Sequence, residues 1–389
     1  MTKTHTHTDE LTAELFSDDL EAKRFNMDTV KNYEATAEEL GTSEKKLKRV
    51  AECGSMKKYA VDAKREHKAL LYAQSCKDRF CPICNRAKAL RDVREIMDVT
   101  KAMTSLNNYD TVFMTLTVVS DHDLRRALRL LHEGYHRLMR REMFTDVSKG
   151  VITKLEVTHN DKHGYHPHLH VLMFVGKLYY KKRKGFIEKA DLLEAWREVT
   201  GDPRITQVDI RRPRANRRKG IADSNEAAAL EVGKYVAKAS DYNASPEVFA
   251  GFVSGLKGSK ALRYTSQAEE FRNAHKVDTY GIFRQLWHGR DEQELVEFVD
   301  KALLNWESND YKVEYQSLTD SEKDLLASRR ELRDPSEIES DMRELSTEMA
   351  GLDKGPKLQK LRAKLRGLET LRWMRDAINA ITNGGTAKP

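Results

Sequence analysis

The spacing of apolar residues along the chain changes several times, and each change predicts an element. Over 109–119 (YDTVFMTLTVV) β-branched and aromatic residues dominate, which predicts a strand. From 121 to 144 the spacing becomes helical, with Leu124, Leu128, Leu131, Tyr135 and Leu138 on one face and an Asp at the start. Two more strands, 150–159 and 165–175, flank the polar turn Asn160-Asp161-Lys162-His163-Gly164. A helix over 189–200, a strand over 204–212 and a helix over 224–238 follow.

The order strand, helix, hairpin, helix, strand, helix predicts an α+β fold. Its centre is an antiparallel sheet of split βαβ, ferredoxin-like type. In that topology the second strand of the hairpin lies centrally, between its partner and the first strand. This core is expected over 101–245, preceded by an acidic, partly disordered arm (1–44) and a Cys-rich element (45–100). A mixed helical extension is expected over 246–318. The last segment, 319–389, reads as an amphipathic helical hairpin. Leu325, Leu332, Ile338, Met342, Leu345 and Met349 stripe one candidate helix, broken at Pro335, and Leu358, Leu361, Leu365, Leu368, Leu371 and Met374 stripe another. No solenoid repeat is present.

Charge sharpens this picture. The 389 residues carry a net +7, yet residues 1–40 hold ten acidic against four basic residues, a balance of −6 that leaves +13 for the rest. A basic body suits a polyanionic partner. No run of eighteen apolar residues is present to span a membrane, and the polar, acidic start lacks a secretory core, so a cytoplasmic protein with no membrane partner is expected. The four cysteines, Cys53, Cys76, Cys81 and Cys84, cluster in one short segment. Four thiolates are the number that a structural Zn²⁺ site uses, and such a site would fold an element lacking a core of its own. His67 is an alternative to Cys53, and buried free thiols are the plain alternative to any metal.

The most informative stretch is Tyr165-His166-Pro167-His168-Leu169-His170. In a strand His166, His168 and His170 share a face. A turn centred on Lys162 sets Glu156 opposite His168 on that face, close enough to share a cation. Mixed imidazole and carboxylate ligands suit Mg²⁺ or Mn²⁺ used as a Lewis acid. His5 and His7 repeat the spacing in a polar terminus with no strand to hold them, and are set aside. On the helix from 224, Glu231, Tyr235 and Lys238 fall on one stripe with Lys234 at its edge. Taken alone, that stripe reads as a packed tyrosine beside a solvated ion pair.

Together, in this order, the motifs resemble the HUH endonuclease superfamily, in which a hydrophobic residue separates two histidines, here His168-Leu169-His170. Phe113-Met114-Thr115-Leu116-Thr117 resembles its first motif and Glu231 to Tyr235 its third. A glutamate four residues before a single tyrosine, with the upstream Arg79-Phe80-Cys81-Pro82-Ile83-Cys84, resembles the plasmid rolling-circle initiators of small Gram-positive plasmids. The resemblance covers roughly residues 50–290. It implies a nickase in which Tyr235 attacks a DNA phosphate, giving a 5′-phosphotyrosyl link and a 3′-hydroxyl primer. Glu156, His168 and His170 would hold the cation, Lys234 or Lys238 would add charge, and Glu231 would activate water at termination. Tyr242 is a second phenol that could share the helix face.

The implied partners are plasmid origin DNA, single-stranded or extruded from supercoiled DNA, and a host helicase. The C-terminal stripe also allows a homodimer. The basic runs holding Lys182, Arg183 and Lys184, and Arg211, Arg212, Arg214, Arg217 and Arg218, are the expected phosphate contacts. Competing readings are an HUH transposase and a non-catalytic, zinc-dependent DNA-binding regulator. A zinc protease is disfavoured because no His-Glu-x-x-His occurs.

Overall fold

A computed structural model describes residues 10–181, 185–215, 223–234, 239–287, 296–329 and 331–382. They sort into two compact units: Met1–Lys88 with Lys238–Lys257 and Glu292–Glu331, and Ala89–Ala237 with Gly258–Asp291 and Leu332–Pro389. In chain order the first elements are helices α1 (Glu10–Ala35), α2 (Ala37–Leu40) and α3 (Glu44–Ala51), then strands β1 (Met56–Asp62) and β2 (Lys68–Ala73). Helix α4 (Pro82–Leu106) leads to β3 (Tyr109–Thr117), α5 (Leu124–Leu138), α6 (Glu142–Thr145), β4 (Ser148–Asn160) and β5 (Gly164–Gly176). Next come α7 (Lys189–Thr200), β6 (Asp209–Arg211), α8 (Ser224–Lys234), α9 (Ala239–Tyr242) and α10 (Pro246–Gly255). Then follow β7 (Leu262–Ser266), α11 (Gln267–Val277), α12 (Ile282–Gln285), β8 (Phe298–Glu307) and β9 (Asp310–Ser317). The chain closes with α13 (Asp320–Ser328), α14 (Ile338–Ala350) and α15 (Pro356–Thr382).

The first unit is built on an antiparallel sheet in the order β2-β1-β8-β9. Two segments here differ from the sequence expectation. Where an arm with partial order is expected over 1–44, α1 is a continuous helix from Glu10, because Phe16, Ala22, Val30 and Tyr33 are buried along it. Phe16 packs with Tyr59, Val61, Ala302 and Leu304 of the sheet. Asp19 ties the helix down through Lys57 at 2.7 Å, Lys68 at 2.6 Å and the Tyr59 hydroxyl at 2.7 Å. Burial pushes the Asp19 carboxyl up, but the two ammonium groups win and hold it below the usual carboxylate range.

The expected helical extension over 246–318 is helical only in part. Residues 298–317 form a hairpin whose turn residues Ser308 and Asn309 both take positive φ, the geometry of a two-residue primed turn. Tyr311, Val313 and Tyr315 alternate there with polar residues, a strand period that composition alone hides.

The second unit carries a sheet in the order β6-β3-β5-β4-β7. Every pairing in it is antiparallel, and β5 lies between β3 and β4, where the hairpin reading puts it. Helices cover both faces. On one side α5 and α7 pack together, with Trp196 fully buried and its indole N–H donated to the Thr117 carbonyl at 2.7 Å. On the other side Phe113, Ile152, Leu172, Phe174 and Tyr264 form one core with Ile96 and Met103 of α4, Ala228, Ala229 and Val232 of α8, and Phe271 of α11.

The expected long helix over 121–144 ends at Leu138, and the strand expected over 204–212 shrinks to β6. Its first residues are held instead in a turn, where Arg204 donates backbone and guanidinium hydrogen bonds to Asp202.

The C-terminal stripe is consumed within this unit. Ile338, Leu345, Leu368, Leu371 and Met374 are buried in the same core, and Arg375 pairs with Glu339 across the α14–α15 hairpin at 2.8 Å. Leu325, by contrast, sits on α13 in the first unit and is exposed. Much of the stripe is therefore interior packing, while Leu332 is exposed.

Gly164 sets the geometry of the β4–β5 hairpin. Its φ is +79°, and a Cβ there would lie 2.6 Å from the Asp121 carbonyl oxygen and 2.8 Å from the His122 nitrogen. The contact exists because Asp121 and Tyr165 exchange backbone hydrogen bonds of 3.0 and 2.8 Å, clamping the β3–α5 connection onto the hairpin. Backbone atoms cannot rotate aside as a side chain can. Gly164→Ala should therefore cost about 2–4 kcal/mol, the sum of a left-handed alanine and a forced backbone shift. A thermal melt followed by circular dichroism with an unchanged midpoint would refute this.

Candidate functional site

The histidines occupy one end of a sheet face whose other end is core. Alternation along β5 puts His166, His168 and His170 on the face of Leu172 and Phe174. Glu156 pairs directly with His168 across the ladder, as the turn placement predicts. The closest polar contact is nevertheless diagonal: His170 Nε2 lies 3.0 Å from Glu156 Oε2. His170 Nδ1 lies 3.3 Å from Thr115 Oγ1, and His166 Nε2 lies 2.6 Å from Thr117 Oγ1. The His168 and His170 rings stack at 6.2 Å with an interplanar angle of 7°. Burial, then the neighbouring His166, pull His168 down to about 4; Glu156 opposes them and His170 adds to the lowering. His168 is thus neutral near pH 7 and keeps a lone pair to offer.

As a set, Glu156, His168 and His170 do not converge within 4.8 Å of one another; among the described residues, Cys53, Cys76, Cys81 and Cys84, and Asp62, Glu66 and His67, do. The donor types suit a divalent cation, and Glu156 and His170 are already in contact. Thr115 and Thr117 were missed as site residues by the sequence reading. Their alternation on 109–119, cross-strand from the histidines, is the signal that finds them. Lys154 was missed too: it pairs with His170 across the ladder, is buried, and holds Asp92 of α4 at 2.7 Å.

Helix α8 lies on the histidine face. Its start is fixed where Thr111 Oγ1 donates to Asn225 Oδ1 at 2.7 Å. Ala228, Ala229 and Val232 then pack on Phe113, Ile152 and Leu172. Gly233 lets the helix approach α4, since a Cβ there would meet Val93 at 2.6 Å. Glu231 comes 3.6 Å from the Arg211 guanidinium, on the strand residue that pairs with Phe113. From Thr111 to Phe113 to Thr115 the β3 ladder runs toward His170, so α8 advances toward the histidines. Lys234 ends α8; Tyr235 and Lys238 lie outside the described residues.

The basic runs divide similarly. Arg211 also pairs with Asp209 and stacks over Phe113 at 4.8 Å, and Arg212 lies 4.6 Å from the Tyr180 ring centre. Arg214 is exposed. Lys182, Arg183, Lys184, Arg217 and Arg218 lie outside the described residues. Tyr242 is no candidate nucleophile. It is buried among Phe80, Phe249 and Phe252 in the first unit, and burial pushes its phenol above the ordinary tyrosine value.

The cysteines do converge. Cys53 Sγ lies 3.5 Å from Cys81 Sγ and 3.6 Å from Cys84 Sγ, and Cys76 Sγ lies 3.7 Å from Cys84 Sγ. A tetrahedron with Zn–S of ~2.3 Å has S–S edges of ~3.8 Å, so the four thiols fit that ion. Backbone N–H groups of Cys76, Lys77 and Asp78 point at the sulfurs from 3.3–3.4 Å, which favours the thiolate forms.

Helix α1 supplies support the sequence reading missed. Asn26 Oδ1 accepts from Cys81 Sγ at 3.2 Å, and buried Lys23 donates to the Ala51 and Cys53 carbonyls at 2.8 Å each and to Ser55 Oγ at 3.0 Å. His67, the alternative fourth ligand, stands apart beside Asp62. That second acidic group is an ordinary turn, with Asp62 Oδ1 accepting from the Glu66 and His67 backbone nitrogens.

Residues 67–315 of the 389 match the replication protein family Rep_1. "Protein rep" of Staphylococcus aureus is 33% identical over 203 residues, covering 51% of this chain and 85% of that protein. "Protein rep" of Lactiplantibacillus plantarum is 27% identical over 257 residues, covering 63% and 80%. "Protein rep" of Lentilactobacillus hilgardii is 26% identical over 275 residues, covering 68% and 86%. No solved structure matches the chain. With the family covering well over half of its length, the chain belongs to the replication protein family Rep_1, the plasmid initiators that its histidine and tyrosine motifs resemble.

Proposed function

We propose that the chain starts rolling-circle replication of a plasmid by nicking one strand of the origin through Tyr235, on an HUH-type core formed by β3–β6 with α5, α7 and α8. The observation that carries this reading is the course of α8. It lies on the histidine face and advances toward His170 as far as Lys234, and Tyr235 is the next residue in the sequence.

A free phenol titrates near ~10 and is a weak nucleophile at neutral pH. Its attack on the scissile phosphorus forms the Tyr235 O–P bond and breaks the P–O3′ bond. The phenolic proton leaves, and the departing 3′ oxygen takes up a proton to become the primer hydroxyl. Glu156, His168 and His170 would hold a Mg²⁺ or Mn²⁺ ion, which when bound supplies Lewis-acid polarisation of the phosphate oxygens. Neutral His168 can ligate without losing a proton, and the Thr115 hydroxyl lies 3.3 Å from the His170 ring. Lys234 and Lys238 add positive charge where the phosphate gains negative charge.

Glu231 takes the second step. At termination a water must be deprotonated to cut the regenerated origin, and a carboxylate four residues before the tyrosine in sequence is the base for it. Arg211 lies 3.6 Å from the Glu231 carboxylate. The cysteine centre holds Zn²⁺ as a structural ion that ties the loops at 53 and 76–84 together. Origin DNA is the polyanionic partner, the basic runs are its phosphate contacts, and a host helicase opens the duplex ahead of the primer.

Three outcomes test this reading. With a labelled origin-strand oligonucleotide and Mn²⁺, the wild-type chain should form a protein-linked product, and Tyr235→Phe should form none; an adduct persisting in that variant assigns the nucleophile elsewhere. Glu231→Ala should keep the first cleavage but slow the terminating one by about 10²–10⁴-fold, the usual worth of a general base. Equal slowing of both steps would remove its separate role. Elemental analysis of purified protein should give one zinc per chain, lost in Cys81→Ser; a metal-free, folded wild-type chain rules the zinc assignment out.

A further inference from the structure

Beyond the nicking centre, a groove of about 470 Å³ opens at the far end of the same sheet, lined by Asn108, Asp110, Lys177, Tyr180, Lys181 and Arg212. Three cations line it, and two of them pair with one carboxylate. Lys177 Nζ lies 3.0 Å from one Asp110 oxygen and an Arg212 nitrogen 4.0 Å from the other, while Lys181 and Arg212 are exposed. The carboxylate offsets one of the three charges and leaves an excess of two. Tyr180 forms a fixed wall, its hydroxyl donated to the Thr111 carbonyl at 2.7 Å and its ring beneath the Arg212 guanidinium at 4.6 Å. A lining that carries three cations and a rigid phenol suits a phosphate.

We propose that this groove is a second DNA subsite, which grips a backbone phosphate of the duplex flanking the nick. The inference rests on the nicking reading for its register and on the groove itself for its chemistry. Asp110 pairs with Val175, and Thr117 with His168, at the two ends of the β3–β5 ladder. Seven residues at ~3.3 Å separate them, so the groove stands ~23 Å along the sheet from the histidines. Arg211, the last residue of the edge strand β6, and Arg212, which follows it, face the two places in turn: Arg211 toward Glu231, Arg212 into the groove.

Binding of the full chain to a fluorescein-labelled duplex of about 30 base pairs, followed by anisotropy between ~50 and ~200 mM KCl, reads the number of phosphate contacts directly. Lys177→Ala/Lys181→Ala should flatten the plot of log affinity against log salt by about 0.9, the loss of the one gripped phosphate. Lys177→Arg/Lys181→Arg should restore the slope, which a merely unfolded groove would not do. An unchanged slope in the alanine pair overturns the subsite, as does displacement of the duplex by inorganic phosphate at matched ionic strength, which would mark a small-anion site. The slope is independent of covalent chemistry, so failure here leaves the Tyr235 adduct intact, and failure of the adduct leaves the slope.

Discussion

The structure turns on the alternation of β5, a central strand with helices on both faces. Because neighbours in a strand point oppositely, Leu169, Val171 and Met173 go to one layer while His170, Leu172 and Phe174 go to the other. A slip of one residue would exchange the two sets and bury imidazoles against α5. The Gly164 turn, the twelve-residue pairing with β4 and the clamp to Asp121 all fix that register. The histidines are therefore polar continuations of a hydrophobic row, and the core that covers Leu172 and Phe174 also brings α8 to their side. Packing and chemistry are two ends of one periodic constraint.

The same constraint explains what the sequence made legible. Glu156 opposite His168 follows from a period of two and a turn centre, and the ladder has them paired. The order of strands and helices in the core follows from where the apolar period changes. What was hidden depends on contacts that no local pattern encodes. The acidic composition of α1 reads as a solvated arm until its few apolar residues, Phe16 and Tyr33 among them, find a sheet and an aromatic cluster to meet. Tyr242 carries the spacing of a second nucleophile, yet Phe80, Phe249 and Phe252 claim its ring. The sheet in the first unit joins β1 to β8, more than two hundred residues apart, and such pairing leaves no trace in a window of ten.

Charge shows the same division between local and distant causes. The run around 211–219 is basic in sequence, but its first members already have partners: Arg211 serves Asp209, Glu231 and Phe113, and Arg212 serves Asp110 and Tyr180. These are half-exposed pairs, each worth only about 0–1 kcal/mol in water. Exchange of such a partner for a phosphate is therefore close to neutral in enthalpy and gains from counterion release. Arginines that look satisfied are consistent with a DNA-facing edge, whereas Lys154, buried against Asp92 at 2.7 Å, is not exchangeable because breaking a buried pair costs ~3–5 kcal/mol.

The family match begins at residue 67, yet the cysteine centre does not. Cys76, Cys81 and Cys84 fall inside the matched span, while Cys53, Lys23 and Asn26 fall before it. So does β1, which joins β2 to β8. Lys23 shows why the preceding segment is structural. Burial pulls its ammonium down to about 8 while the charges of the nearby cysteines push it up. A buried ammonium of this kind costs several kcal/mol unless acceptors and negative charge surround it. Three oxygen acceptors and the sulfurs of Cys53, Cys76 and Cys81 do so here, and in return the lysine and Asn26 fix the 50–55 loop that brings Cys53 to the other three. Helix α1 and the cysteine centre thus stabilise each other. A chain cut at residue 67 would keep three thiols, lose the fourth, and leave β2 without the strand that ties it to the sheet.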